Sequence, residues 1–229
     1  LKYFFSFIVT NKIVFFKFGS MGAGNTRRRI NIETEGRNKE IVRPSQAVLF
    51  YALTGSSIVF LTLTLFYSIW LNRNPQGFNF DLPKIFTVST IILLVSSHVL
   101  SKASTAFEKD HSNGLLTALS VTFALSIVFT VLQVNGMIDL FDDGILMKNS
   151  GSIFLFGLMA FHGLHVVGGI IYLFYLSLKA FDNWQDPVKS LIYFSNKYEL
   201  NRIQLLSIYW YFANVIWVLL FIIFLFTVR

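Results

Sequence analysis

The stretch NSGSIFLFGLMAFHGLHVVGGIIYLFYLSL, residues 149–178, contains 30 consecutive residues without an Asp, Glu, Lys or Arg side chain. Lys148 and Lys179 bound it on either side. A helix needs about 20 apolar residues to cross the hydrocarbon core of a bilayer, so this stretch is long enough to span a membrane. Two histidines, His162 and His165, lie near its middle.

Four further stretches without charged side chains accompany it. They contain 29, 17, 28 and 26 residues and lie at 44–72, 85–101, 111–138 and 203–228. A peptide group in hydrocarbon must find its hydrogen-bond partner within the chain, and the alternating pattern of an outer-membrane barrel is absent, so each stretch predicts a helix. The sequence therefore predicts an all-α polytopic membrane protein. Its single domain, residues 44–229, is a bundle of five transmembrane helices at about 47–71, 84–104, 114–137, 152–179 and 203–228.

The composition excludes other classes of protein. Apolar residues make up 54% of the chain and charged residues 14%, with a mean hydropathy of +0.60. Soluble domains carry about 25% charged residues and could not bury this much apolar surface. Because the sequence contains no cysteine, a disulfide-stabilised secreted module, a thiolate metal site and an iron–sulfur cluster are excluded as well.

The basic residues predict the orientation in the membrane. With the N-terminus inside and the C-terminus outside, the inner side holds 15 Lys and Arg residues and the outer side holds 4. Positive charges accumulate on the cytoplasmic side, so this orientation is expected. The net charge of +7 therefore reflects the orientation of the chain in the membrane. The run Arg27-Arg28-Arg29 is expected to contact anionic lipid rather than nucleic acid.

Residues 1–43 are expected to form a basic cytoplasmic arm. Three lysines interrupt the apolar residues of 1–20, so this segment is too broken to span a bilayer. It is an interfacial helix, a leader, or an extension upstream of the true start. Met21 favours the third alternative, which predicts that residues 1–20 are dispensable for assembly.

The histidines are the candidates for chemistry inside the bilayer, since no acidic or basic side chain lies in the middle of a span. His162 and His165 share a helix face and have the spacing of a metal-ligand pair, but only His98 could add a third ligand, which favours interhelical hydrogen bonds. His98 lies near the inner end of its span, where it could anchor the interface. Three glycines, Gly163, Gly168 and Gly169, should let a neighbouring helix or a lipid come close.

The last span contains the aromatic sequence Tyr209-Trp210-Tyr211-Phe212-Ala213-Asn214-Val215-Ile216-Trp217. Asn214 lies deep enough to need a hydrogen-bond partner. This sequence resembles the closing motif of subunit III of the haem–copper respiratory oxidases. Phe161-His162-Gly163-Leu164-His165-Val166-Val167-Gly168-Gly169 resembles the signature of the same family. The resemblance covers residues 45–229 and matches the short bacterial form with five helices.

The resemblance implies a non-redox subunit of a proton-pumping terminal oxidase. Haem and copper are expected on the partner subunit I, with subunit II nearby and phospholipid bound to this chain. The bacterial plasma membrane is the expected location rather than the mitochondrial inner membrane. Lipid or subunit contacts are expected at His162, His165, Gly163, Gly168, Gly169, Tyr211, Asn214, Trp217 and His98.

The chain departs from the family at three places. Tyr211 stands where the family usually has His, and Asn214 stands where it has Asp. The first span offers Gly55-Ser56-Ser57 where the family tends to carry a carboxylate.

Two other functions fit parts of the sequence. A small transporter or channel would place the span hydroxyls, such as Ser56, Thr62 and Thr122, along one polar stripe. A quinone-binding or haem-binding subunit would use His98, His162 and His165 together.

Overall fold

The computed structural model of the protein describes residues 44–74, 84–142 and 150–227, and all of its regular elements are helices. They are α1 (Pro44–Arg73), α2 (Lys84–Glu108), α3 (Ser112–Asp142), α4 (Ser150–Trp184), α5 (Pro187–Ser195) and α6 (Lys197–Thr227). Five of them, all except α5, are long and apolar enough to cross a membrane. The predicted all-α polytopic fold with five spans is confirmed. The N-terminal arm 1–43 and the proposed start at Met21 lie outside the described residues.

Four of the long helices form a ring in which each packs against two neighbours. The order around the ring is α2, α3, α4 and α6, and α6 closes it against α2. The first helix, α1, lies outside the ring and packs against α4 and α6. Large apolar side chains are exposed around α1, including Phe50, Leu61 and Leu65. In a bilayer these side chains are in contact with lipid or with another membrane protein.

Two clusters of buried apolar side chains fill the bundle. One surrounds Phe86, Phe129 and Trp217, where α2 begins and α6 approaches its end. The other surrounds Phe107, Leu119 and other side chains of the opposite half of the bundle. Membrane helices gain little from hydrophobic burial, because lipid tails are as apolar as the side chains. Close packing and polar contacts must therefore hold these helices together.

The short helix α5 was not predicted. It lies between the predicted fourth and fifth spans and begins at Asp186-Pro187. The Asp186 carboxylate accepts hydrogen bonds from the backbone N–H groups of Val188 at 2.9 Å and Lys189 at 3.4 Å, and Pro187 occupies the first turn. Acidic N-caps and a first-turn proline both favour helix initiation.

The fourth helix continues beyond the predicted end of its span at 179. It reaches Trp184, so Lys179 lies one turn inside the helix. The Lys179 Nζ atom contacts the Glu199 carboxylate at 2.7 Å, which neutralises its charge. The lysine that served to mark the end of the span is therefore part of a polar cluster within the folded chain.

Candidate functional site

Hydrogen bonds between α2 and α6 form the most buried polar region of the bundle. The indole N–H of Trp217 donates to the Thr90 hydroxyl at 2.9 Å, and the indole N–H of Trp210 donates to the Ser96 hydroxyl at 3.1 Å. The Asn214 side-chain amide donates to the Ser97 hydroxyl. Each hydroxyl accepts from α6, and α2 and α6 run antiparallel along this contact. We call these three pairs the α2–α6 polar ladder.

Small hydroxyl side chains suit the ladder because each one makes two bonds at once. Thr90 donates its own hydrogen to the Phe86 carbonyl oxygen at 2.7 Å, and Ser96 donates to the Leu93 carbonyl oxygen at 2.7 Å. The lone pairs of these hydroxyls remain available to accept the indole hydrogens. Buried Ser, Thr and Trp are thereby satisfied without any charge.

The predicted partner of Asn214 is therefore present, and it is Ser97. The sequence identified Asn214 and Trp217 but not Thr90, because the hydroxyl of a Thr in a helix usually bonds its own backbone. Trp210, which belongs to the closing motif, was also not singled out. Its 2% exposure places it in the core and not at the membrane interface, where tryptophans are common.

His165 joins α4 to α1. Its Nδ1 lies 2.8 Å from the Phe161 carbonyl oxygen, and its Nε2 lies 2.7 Å from the Ser56 hydroxyl. A carbonyl oxygen can only accept, so the neutral ring carries its hydrogen on Nδ1 and accepts the Ser56 hydrogen at Nε2. The Tyr209 hydroxyl of α6 donates to the His165 backbone carbonyl oxygen at 2.8 Å. This short segment of α4 thus holds two neighbouring helices.

His162 faces a different part of the bundle. Its ring stacks on Trp217 with centroids 5.2 Å apart and meets the edge of Phe129 at 6.4 Å. It is 2% exposed, and within the described chain neither ring nitrogen has a hydrogen-bond partner. The two histidines were expected to act alike as interhelical hydrogen-bond partners, and the structure separates them.

The three candidate glycines also differ. A Cβ atom at Gly169 would lie 3.0 Å from the rings of Tyr209 and Trp210, and one at Gly168 would lie 3.4 Å from the Tyr209 hydroxyl. These two glycines permit the close approach of α6. A Cβ atom at Gly163 would meet nothing within 4 Å, so that glycine borders open space.

Two candidates remain, His98 and Tyr211. His98 is exposed on the surface of α2, and Tyr211 is partly buried on α6. The three histidines of the spans therefore do not converge on one site. Among residues 44–74, 84–142 and 150–227, no group of three or more His, Cys, Asp or Glu side chains could hold a metal ion.

A charged cluster lies where α6 begins, and sequence reasoning missed it. The buried Glu199 carboxylate contacts Lys179 at 2.7 Å and Arg202 at 3.5 Å. The Arg202 guanidinium lies 4.5 Å from the centre of the Tyr198 ring and donates to the Tyr198 hydroxyl at 3.3 Å. Nearby, burial and then the Glu199 carboxylate raise the pKa of the Tyr193 hydroxyl on α5, which therefore stays neutral. Two cations surround one carboxylate, so this cluster carries a net positive charge.

The fold and the ladder define the class of protein. This is a polytopic membrane protein whose interior polar groups join helices to each other. The sequence model of cytochrome c oxidase subunit III matches residues 47–228, and the chain belongs to that family. It is thus a subunit of the terminal oxidase class of membrane enzymes.

Individual relatives agree with this assignment. The chain is 27% identical over 201 residues to the cytochrome bo(3) ubiquinol oxidase subunit 3 of Buchnera aphidicola, covering 85% of this chain and 95% of that protein. It is 29% identical over 179 residues to the cytochrome c oxidase subunit 3 of Synechocystis sp., covering 76% and 71% respectively. It is 32% identical over 159 residues to a probable cytochrome c oxidase subunit 3 of Rickettsia prowazekii, covering 67% and 51%.

Replacing glycines of α4 by alanine should separate packing from open space. Gly169→Ala should lower the free energy of unfolding relative to Gly163→Ala by about 1–3 kcal/mol, because only the first forces a methyl group against Trp210. Both variants gain the same helix propensity, so the comparison cancels that contribution. Thermal unfolding of the purified protein in detergent measures the difference. Equal stabilities would contradict the close contact at Gly169.

Proposed function

We propose that this chain is the non-redox subunit III of a proton-pumping haem–copper oxidase in a bacterial plasma membrane. In this proposal it packs against subunit I, which carries haem and copper, with subunit II in the same complex. It stabilises the catalytic subunit and binds phospholipid, and it takes no part in electron transfer. The family match over residues 47–228 is the observation that carries the proposal.

The interior of the bundle supports a structural role. The ladder hydroxyls of α2 bond to neutral donors of α6, and His165 bonds to a neutral hydroxyl of α1. Bonds of this kind fix helix positions without requiring a change of charge during turnover. Asn214, which stands where the family usually has Asp, has no acidic proton to transfer, and it serves the same purpose by bonding to Ser97.

The charged cluster at the start of α6 supports lipid binding. Lys179 and Arg202 are held in place by Glu199, and Tyr175 and Tyr198 add hydroxyl groups within 3.4 Å and 3.3 Å of the guanidinium. Arginine and tyrosine together suit the phosphate of a lipid headgroup. Exposed apolar side chains of the neighbouring helices would accommodate the acyl chains.

The transporter alternative is not favoured. Its polar stripe would require hydroxyls that face a common path, but Thr62 is exposed on the outer helix α1, whereas Thr122 is buried on α3. Family membership favours the oxidase function instead.

The charge distribution supports an orientation with the N-terminus inside and the C-terminus outside. In this orientation the charged cluster, α5 and the turn between α2 and α3 face the cytoplasm. The anionic lipids of that leaflet would then meet Lys179 and Arg202.

Cysteine labelling should establish the orientation directly, since the natural sequence contains no cysteine. Asn74→Cys at the end of α1 and Ser195→Cys at the end of α5 place single thiols at exposed positions. In intact cells a membrane-impermeant maleimide should label only Asn74→Cys, and permeabilisation should add Ser195→Cys. The opposite pattern would reverse the proposed orientation.

Depletion of the chain tests the proposed function. The chain should co-purify with a haem-containing and copper-containing subunit. Oxidase lacking the chain should keep its initial rate of oxygen consumption, because the redox centres lie elsewhere, and it should lose activity faster during continued turnover. Adding the purified chain back should slow that loss. A haem or copper centre on this chain, or an initial rate that falls at once without it, would contradict the proposal.

A further inference from the structure

A cavity of about 170 Å³ lies between α3, α4 and α6. Phe129 and Gln133 of α3, His162 and Gly163 of α4, and Trp217 of α6 contribute to its lining. The Glu199 cluster and the His165–Ser56 bond involve other residues. Trp217 also belongs to the α2–α6 polar ladder, so the cavity adjoins that contact.

The buried ring of His162 lies at this cavity with both nitrogens unpaired in the described chain. A neutral imidazole offers one hydrogen to donate and one lone pair to accept. Leaving these groups unpaired away from water is unfavourable, and such a group in a native structure requires an explanation. The site therefore suits a ligand that carries oxygen atoms.

The size and lining favour an organic ring over a cluster of water molecules. An apolar cavity of about 150 Å³ can hold a benzene ring, and this one is of similar volume. Most of its lining is apolar, including Phe129, Met159 and Trp217. The other two polar side chains of the lining are partly engaged, because Thr130 donates to the Ser126 carbonyl oxygen and Gln133 donates to the Ser89 hydroxyl. A buried water usually needs about three polar partners.

A second cavity of about 270 Å³ continues from the first along α3 and α4. Val134 and Met137 line both cavities, and Ile138, Phe141 and Phe156 line the second alone. The side chains of Val134, Ile138 and Phe141 are 50–53% exposed, so this part faces the bilayer. An apolar tail could enter the second cavity directly from the lipid phase.

We propose that these two cavities form a binding site for a quinone or quinol, a ring with carbonyl or hydroxyl oxygens and a long apolar tail. The ring occupies the first cavity, where a ring oxygen bonds to His162 and the ring faces meet Phe129 and Trp217. The tail follows the groove between α3 and α4. This site is independent of whether the chain stabilises a catalytic subunit.

Photolabelling of the full-length chain in native membranes tests the site. A quinone carrying a photoreactive azide on its ring should label peptides of α3 and α4 around Gln133 and Gly163. An excess of unlabelled quinone should abolish the labelling, whereas an equal excess of a saturated fatty acid should not. Competition by the fatty acid and not by quinone would show an acyl-chain groove and overturn the proposal. Absence of label from these two helices would overturn it as well.

Two variants and a matched control identify the contacts. His162→Phe keeps the ring and removes both nitrogens, so the concentration of quinone needed for half-maximal labelling should rise about tenfold. Gly163→Met should fill the ring cavity and abolish labelling. This variant should fold normally, because a Cβ atom at residue 163 meets nothing within 4 Å. Gly157→Met also meets open space but lies outside both cavities, and it should label like the natural protein. Undiminished labelling of Gly163→Met would overturn the proposal even if His162→Phe failed to fold.

Discussion

The hydrogen bonds from α6 to the hydroxyls of α2 are the contacts on which the rest of the bundle depends. In a bilayer the hydrophobic effect does not draw helices together, and unpaired polar groups are unfavourable, so buried hydrogen bonds and close packing decide which helices meet. Trp210 and Trp217 each pack in one of the two apolar clusters, and the indole N–H group of each donates a hydrogen bond of the ladder. Through this contact α6 closes the ring, and its Tyr209 reaches the α4 segment that holds α1.

The number and positions of the spans could be predicted because the cost of burying a charge is large. Stretches without Asp, Glu, Lys or Arg marked five spans, and the described residues contain five helices long and apolar enough to cross a membrane. Helix ends were less predictable. Lys179 suggested an end, but α4 continues to Trp184, and Lys179 pairs with Glu199 of α6. The short helix α5, which begins at Asp186-Pro187 between the fourth and fifth spans, was not predicted.

The sequence predicted which residues form the candidate site better than it predicted which partners they contact. His162 and His165 are three residues apart, which leaves an angle of about 60° between them around the helix. That angle is enough for His165 to meet Ser56 of α1 while His162 meets Trp217 of α6. Likewise, Gly168 and Gly169 pack closely against α6, whereas Gly163 borders a cavity. Which neighbour each side chain faces depends on the tertiary arrangement, and spacing along one helix does not contain that information.

A double-mutant cycle across the ladder tests the central claim most directly. Thr90→Val removes the hydroxyl with little change in shape, whereas Trp217→Phe removes the indole N–H together with part of a buried ring, a packing loss that the cycle cancels. The free energies of unfolding of both single variants and the double variant, measured in detergent, should give a coupling between about 0.6 and 1.7 kcal/mol, the average and the maximum measured for hydrogen bonds between membrane helices. Pairing Thr90→Val with Ser68→Ala on exposed α1 should give additive changes. A coupling of zero between Thr90 and Trp217 would contradict the claim that the ladder joins α2 to α6.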